Sequence, residues 1–380
     1  MGEMDKGGPN ITTGRQAGDD PIRVMLVDDS AVVRGLITRM IEAETDIDVV
    51  ASVGNGQLAV SGLARADADV VVLDIEMPVM DGLTALPKLL EIDPDVKVIM
   101  ASTLTLRNAE VSIRALQAGA ADYVPKPTAT RDLSGGNDFR RELIEKIRSL
   151  GGARRKARAG RPSRRATPRT LLPKLPPKPI VLRAASTMSV DVLAIGSSTG
   201  GPQALLSLLR GIGPNLRVPT FITQHMPATF TAVLADHIAR TTGLACAEAK
   251  DGEIAMAGRT YLAPGNFHLV IERKGVHVVV RLDSGPPENY CRPSVDPMLR
   301  SLARAYGGRV LTAILTGMGS DGLVGGRAVA AAGGTVIAQD EATSVVWGMP
   351  GAVATDGICS AVLPLSQIAP FVTKMIGRAR

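Results

Sequence analysis

Two groups of residues in this chain have the types and spacing that chemistry requires. The first is acidic. Asp28 and Asp29 are adjacent at the end of an apolar run, residues 22–28, and Asp74 ends a second run, residues 70–74. Carboxylates held close repel one another, and a hard cation such as Mg²⁺ relieves the repulsion by taking their oxygens as ligands. Ser102 ends a third run, residues 97–102, and Lys126 follows in Tyr123-Val-Pro-Lys-Pro127. A lysine and a hydroxyl around a metal-bound aspartate make a place for phosphoryl oxygens, with Asp74 as the nucleophile that becomes an acyl phosphate. Singly, each residue reads as a strand-end cap or a surface charge; it is their order, each closing a strand, that singles them out.

The second group lies in the C-terminal half. Gly196-Ser-Ser-Thr-Gly200 satisfies G-x-S-x-G and puts Ser198 on a tight strand-to-helix turn. Backbone N–H groups and the positive end of the helix dipole then face a developing oxyanion. The pattern also suits a dinucleotide-binding glycine turn. That alternative wants an acid at the end of the next strand to hold ribose hydroxyls, whereas the strand ends Thr223-Gln224-His225. Of the four histidines, His237 falls in an amphipathic helical stretch, His277 in a strand and His268 after a turn; His225 alone stands just past a strand next to Ser198. A base must come within hydrogen-bond reach of its serine. Asp321 follows a third strand in Thr316-Gly-Met-Gly-Ser-Asp-Gly322, where it serves as the orienting acid or as a helix N-cap. Glycines on either side let the backbone approach closely, so the Met318 N–H is an oxyanion donor candidate.

These residues need scaffolds, and the sequence supplies two. Short buried runs alternate with helix-length segments over residues 21–145 and again over residues 189–378, which implies α/β domains with doubly wound parallel sheets. In such sheets chemistry collects where strands end. Strands are expected at 190–195, 218–224, 310–315 and 335–338, and residues 276–282 form one arm of a hairpin. Between the domains, residues 146–188 contain Gly151, Gly152, six prolines and thirteen Lys/Arg without a single Asp or Glu. That composition reads as an interdomain linker, extended by proline and self-repulsion. The whole chain carries +6, so removing the linker leaves 6 − 13 = −7 on the rest. A mildly acidic remainder without a helix-turn-helix pattern disfavours nucleic-acid binding. Residues 1–20 are polar and Gly-rich, read as a disordered tail with no apolar signal core. No stretch is long and apolar enough to span a membrane. Three cysteines without a zinc or disulfide framework point to a reducing, cytoplasmic setting.

Two resemblances sharpen this reading. Over residues 21–145 the chain resembles response-regulator receivers, through Val27-Asp-Asp-Ser30, Leu73-Asp-Ile-Glu-Met-Pro78, Met80-Asp-Gly82 and Lys126-Pro127. The resemblance implies a flavodoxin-like five-stranded fold and phosphorylation of Asp74 by a histidine kinase. It also implies a switch through Ser102 and Tyr123, and Mg²⁺ held by Asp28, Asp29, Asp74 and the Glu76 carbonyl.

Over residues 189–378 the chain resembles the chemotaxis protein-glutamate methylesterase family, a Rossmann-like three-layer fold. The motifs are Ile195-Gly-Ser-Ser-Thr-Gly-Gly201, Gln224-His-Met-Pro227, Tyr261-Leu-Ala-Pro-Gly265 with His268, Arg292-Pro-Ser-Val-Asp296 and Leu315-Thr-Gly-Met-Gly-Ser-Asp-Gly322. The Ser–His–Asp order differs from that of α/β-hydrolases. The resemblance implies Ser198, His225 and Asp321 as nucleophile, base and orienting acid, with Thr199 shaping the site and no cofactor for the hydrolase. It implies methylated chemoreceptor cytoplasmic domains as substrates, glutamine deamidation by the same route, and a monomer. Residues 292–296 read as substrate wall or as a structural turn. A DNA-binding regulator, a nicotinamide enzyme and a silent adaptor remain as competing readings; a DNA-shift assay and a cofactor titration separate the first two.

Overall fold

The computed structural model describes residues 20–103, 105–126, 137–159, 179–214 and 216–377. The expected tail up to residue 19, Pro127 and the middle of the linker, residues 160–178, lie outside them.

The N-terminal domain runs β1 (Ile22–Val27), α1 (Ala31–Glu42), β2 (Ile47–Val53), α2 (Gly56–Ala66), β3 (Val70–Asp74), α3 (Gly82–Ile92), β4 (Lys97–Ser102), α4 (Leu106–Gln117), β5 (Asp122–Pro125) and α5 (Asn137–Ala159). Its five strands pair in parallel in the order β2-β1-β3-β4-β5, the flavodoxin-like arrangement. The apolar runs form the strands because both sheet faces are covered by helices, and Val70, Val71, Val72 and Leu73 are all buried. Ser30, Asn55, Asp81 and Thr105 cap the four helices that follow strands, each accepting an N–H three residues on.

The helix α5 departs from the expected linker. It continues through Gly151 and Gly152 to Ala159, so the chain from 146 to 159 belongs to the N-terminal domain. The glycines that read as breakers do packing work. A Cβ on Gly151 stands 2.5 Å from the Ile22 side chain, so only glycine lets the helix lie against β1. Ile147 and Leu150 are fully buried beside Ile22 and Val24. Most basic residues with described partners in this stretch bind the domain's own acids, while Lys156 reaches Glu341 of the C-terminal domain at 3.0 Å. Arg148 binds Glu44 and Asp46, each at 2.7 Å. Arg154, 1% exposed, binds Asp93 at 2.5 Å, and Arg155 reaches Asp69 at 3.3 Å.

The C-terminal domain runs β6 (Val192–Ser197), α6 (Gly201–Ile212), β7 (Thr220–Gln224), α7 (Ala228–Thr242), β8 (Ala245–Glu248), β9 (Arg259–Leu262), β10 (His268–Lys274), β11 (His277–Asp283), α8 (Val295–Tyr306), β12 (Val310–Ile314), α9 (Leu323–Ala331), β13 (Thr335–Gln339), α10 (Met349–Thr355), β14 (Ala361–Leu363) and α11 (Leu365–Gly377). Seven strands form a parallel sheet ordered β14-β13-β12-β6-β7-β9-β8, and β10 pairs antiparallel with β11 as the expected hairpin. The order reverses at β6, whose neighbours β7 and β12 come from opposite halves of the domain. That switch point is where an open α/β sheet offers a crevice.

The domains pack on each other. The Tyr123 ring of β5 stacks on Phe230 of α7, with centroids 4.4 Å apart and planes 8° from parallel. Gln203 on α6 donates to the Leu116 and Ala120 carbonyls at 2.9 and 2.8 Å. Val345, Val346 and Met318 pack against the apolar cluster that holds α5 to its sheet. No helix among the described residues is long and apolar enough to cross a membrane.

Candidate active site

Ser198, His225 and Asp321 come from the carboxyl ends of the three strands at the switch point, β6, β7 and β12. The nucleophile turn is shaped by close approach. The Ser198 N–H donates to the Thr316 carbonyl at 3.0 Å, tying the turn to the strand beside it. A Cβ on Gly317 lies 2.9 Å from Ser198 Cβ and 2.4 Å from Met349 Sδ, so glycine is required there. Gln224, buried at the end of β7, clamps the turn from the other side. Its Oε1 accepts from Ser197 Oγ at 2.6 Å and its Nε2 donates to the Ser198 carbonyl at 2.9 Å.

Asp321 is 1% exposed and fully engaged. Its Oδ2 faces His225 Nε2 at 2.7 Å and accepts from Ser294 Oγ and the Val295 N–H at 2.8 and 2.6 Å. Its Oδ1 accepts from Asn289 Nδ2 and the N–H groups of Asp296 and Gly322, at 2.9, 3.0 and 2.8 Å. Burial works against its charge, yet His225 and these donors outweigh burial and hold the carboxyl below its ordinary range. Asp321 thus has the bonding that an orienting acid needs and also ties down the start of α8. Residues 292–296 form that start, where Ser294 and Val295 serve the acid.

The second nitrogen of His225, Nδ1, lies 3.4 Å from Cys291 Sγ. Neither ring nitrogen is bonded to Ser198 in this arrangement. Burial disfavours a charged ring, but the charge Cys291 carries when ionised and the Asp321 carboxylate push the His225 pKa up to about 10. Only the neutral ring can act as a base, with its proton on Nε2 toward Asp321 and Nδ1 unprotonated, so Asp321 and Cys291 set the pH above which that form is populated. The Met318 N–H donates to no backbone carbonyl among the described residues, consistent with an oxyanion donor. Of the other histidines, His268 accepts the Ser294 N–H at 3.1 Å, His237 contacts Gln117 across the domain boundary and His277 is exposed on β11.

At the acidic site, Asp28, Asp29 and Asp74 bring carboxylate oxygens within 4.8 Å of one another. Burial pushes the Asp74 carboxyl up to about 6, against the pull of Lys126. The Lys126 ammonium bridges Asp28 and Asp74, at 2.7 Å from the latter. An all-oxygen donor set crowded enough to need a cation fits Mg²⁺. Ser102, 1% exposed, accepts from Ser112 Oγ at 3.2 Å. Tyr123 is buried against Phe230, so the expected switch pair reaches the neighbouring domain.

Sequence reasoning missed the contact that joins the two sites. Asp122 opens β5, is 6% exposed, and accepts from Thr199 Oγ1 at 2.6 Å. Lys146 of α5 lies 3.3 Å from the same carboxylate and donates to the Tyr123 carbonyl. No motif marks Asp122, because its partner is 77 positions away in the other domain. Cys291 and Asn289 were likewise silent in sequence, since only folding carries their loop to His225 and Asp321.

A family model described as CheB methylesterase matches residues 193–372, and one described as response regulator receiver domain matches residues 24–135. A protein-glutamate methylesterase/protein-glutamine glutaminase of Paramagnetospirillum magneticum is 63% identical over 370 residues, covering 94% of this chain and 97% of that protein. One from Azospirillum brasilense is 58% identical over 376 residues, covering 96% and 95%. The crystal structure of the Thermotoga maritima CheB methylesterase catalytic domain aligns over 50% of this chain and 99% of that one, at 40% identity and a TM-score of 0.48.

Proposed function

The chain belongs to the CheB methylesterase family and carries a response regulator receiver domain, and on that premise we propose how its residues perform and gate the reaction. It is a phosphorylation-activated hydrolase that demethylates glutamate γ-methyl esters of chemoreceptors and deamidates receptor glutamines. Its setting is the cytoplasm, where receptor cytoplasmic domains and the kinase phosphodonor reside, and it acts as a monomer.

Ser198 Oγ attacks the ester carbonyl and passes its proton to His225 Nδ1, since Nε2 is committed to Asp321. For this the ring gives up its contact with Cys291 and turns to the serine; such bonds commonly tighten only with substrate in place. The Met318 N–H faces the oxyanion, while Asp321 steadies the imidazolium. As the tetrahedral adduct collapses, the departing methoxy oxygen takes the proton from His225 and leaves as methanol, with the glutamyl group on Ser198. Water, activated by the same ring, frees the glutamate. A glutamine substrate follows the same path and releases ammonia.

In the receiver, Asp28, Asp29, Asp74 and the Glu76 carbonyl would hold Mg²⁺, which supplies charge neutralisation for phosphoryl transfer. Asp74 accepts the phosphoryl group, and Lys126 and Ser102 reposition around the new charge. Gating follows from the packing: Tyr123, Asp122 and Met318 lie at the shared surface, so the receiver covers the cleft when unphosphorylated.

The observation that carries this reading is the buried His225–Asp321 pair at the sheet's switch point, beside the clamped Ser198 turn. The test is incubation with membranes bearing radiolabelled methylated receptors, with and without a small phosphodonor. Methanol release that rises with phosphodonor is expected; none in either condition refutes the reading.

A further inference from the structure

The loop Glu288–Cys291 touches both halves of the catalytic pair and the receiver through three consecutive side chains. Asn289 Nδ2 reaches Asp321 Oδ1 at 2.9 Å and Asp296 Oδ2 at 3.0 Å. Cys291 Sγ lies against His225 Nδ1. Between them the Tyr290 ring lies under Arg141 of α5, 4.7 Å from the guanidinium carbon.

The geometry of the loop is built for this. Asn289 and Tyr290 both have left-handed backbone, with φ of 52° and 62°. The Glu288 N–H donates to the Cys291 carbonyl at 3.1 Å, and the Cys291 N–H returns to the Glu288 carbonyl at 2.9 Å, closing a two-residue reverse turn. Arg300 on α8 grips the Glu288 carboxylate with two bonds, at 2.9 and 2.6 Å. Asparagine tolerates left-handed backbone well, but a bulky tyrosine there is an outlier that points to function.

The acids beneath the turn explain what Asn289 does. Asp321 and Asp296 are both buried, and burial followed by the nearby Asp321 charge raises the Asp296 carboxyl. Two carboxylates in one dry place repel unless a donor stands between them. Two of the partners of the Asn289 amide nitrogen are carboxylate oxygens, and the third, Ser294 Oγ at 3.4 Å, already donates to Asp321, which fixes that atom as NH₂. The amide is shared by one oxygen of each acid.

We propose that Asn289 is a positioning residue for the hydrolysis, its side-chain amide bridging Asp296 and Asp321 so that Asp321 keeps its charge and its aim at His225. This rests on the triad assignment given above. Asn289 touches no reacting atom; it acts through Asp321.

The test uses two variants in the full chain that keep the turn. Glycine and aspartate both accept positive φ, but Asn289→Gly removes the amide and Asn289→Asp replaces a donor by a third carboxylate of the same shape. Methanol release is measured as kcat and KM, with thermal midpoints recorded for each protein and His225→Ala run alongside. A lost hydrogen bond to a charged group predicts a fall in kcat of about tenfold or more for Asn289→Gly, and a larger fall for Asn289→Asp. KM is expected to stay near the parent's; the thermal midpoint falls, more for Asn289→Asp, because the two buried acids lose the donor between them, so kcat is read well below each midpoint, where every variant is folded. A turn-forming role alone predicts parental kcat in both variants, and that result overturns the proposal. So does a loss of kcat that vanishes at temperatures where the variants are fully folded. If His225→Ala retains parental activity, the triad assignment itself fails, and the two failures are told apart.

Discussion

Gln203→Ala loosens the receiver from the hydrolase without touching the catalytic groups. The side chain of Gln203 donates to two receiver carbonyls, those of Leu116 and Ala120. A hydrogen bond contributes about 0.5–1.5 kcal/mol net, so the pair contributes roughly 1–3 kcal/mol to docking. Its Oε1 is buried without a partner, and truncation also removes that cost, bringing the net loss to about 1–2 kcal/mol. An equilibrium between docked and undocked receiver then shifts by a factor of about 5–30 toward undocked. If docking holds the enzyme off, basal demethylation of receptor membranes rises by up to that factor, limited by the rate of residues 189–380 alone. The stimulation by phosphodonor shrinks in proportion. In the isolated 189–380 fragment the same substitution has no carbonyls to lose and is silent. An unchanged or lower basal rate in the full chain, with a fragment faster than the parent, refutes the link between this contact and gating.

Other expectations follow from single sites. Ser198→Ala abolishes methanol release, because no other hydroxyl in the acyl-enzyme route can take its place; a residual rate above background removes the covalent mechanism. Asp321→Asn loses activity and also lowers the thermal midpoint, since an amide NH₂ is placed among six donors; scanning calorimetry beside the activity assay reads both. Cys291→Ala removes a hydrogen-bonding partner that raises the His225 pKa, so the acid limb of kcat/KM against pH moves to lower pH, and an unmoved limb rejects the assigned cause. Chelation with EDTA blocks phosphorylation of Asp74 but leaves esterase activity of residues 189–380 intact; a silenced fragment contradicts the metal-free hydrolysis. A receiver fragment ending at residue 145 melts well below one ending at 159, because Ile147 and Leu150 are each fully buried and each contributes about 1.5–3 kcal/mol.

Residues whose role is local to a strand end were legible. Asp28, Asp74, Ser102, Ser198 and His225 stand where an apolar run gives way to a polar side chain, and the parallel sheets place them at their carboxyl edges as the pattern implies. What the sequence concealed depends on partners far along the chain. The Gly151-Gly152 pair reads as a helix breaker, and only the Ile22 side chain packed beside it shows why a helix there needs glycine. The basic run reads as self-repelling, but four of its members have acids between 24 and 104 positions upstream to neutralise them. Asn289 sits in a stretch with no periodicity at all, and its importance comes from two acids that only the start of α8 brings beneath it.

The contacts missed in sequence are also those that connect the two chemistries. At one end of β5, Lys126 reaches Asp74, the proposed phosphoacceptor, at 2.7 Å. At the other end Asp122 holds the hydroxyl of Thr199, next to the nucleophile, at 2.6 Å. Tyr123, between them, stacks on Phe230. Four residues of extended chain separate Lys126 from Asp122, about 13 Å at strand rise, so one short strand spans from the phosphorylation site to the hydrolase. A phosphoryl group on Asp74 draws Lys126 away from Asp28 and loads new charge onto one end of that strand. The other end is held by Thr199 and by Lys146, whose ammonium is shared among Asp122, Glu142 and the Tyr123 carbonyl. A strand hydrogen-bonded to β4 along its length moves as a unit, so a shift at Lys126 reaches Asp122 without an intervening hinge. On the proposed gating, release of Thr199 and separation of the Tyr123–Phe230 stack are coupled, since both contacts sit on the same short strand; a receiver that only covers the cleft and one that also withholds the Thr199 hydroxyl then give the same resting enzyme.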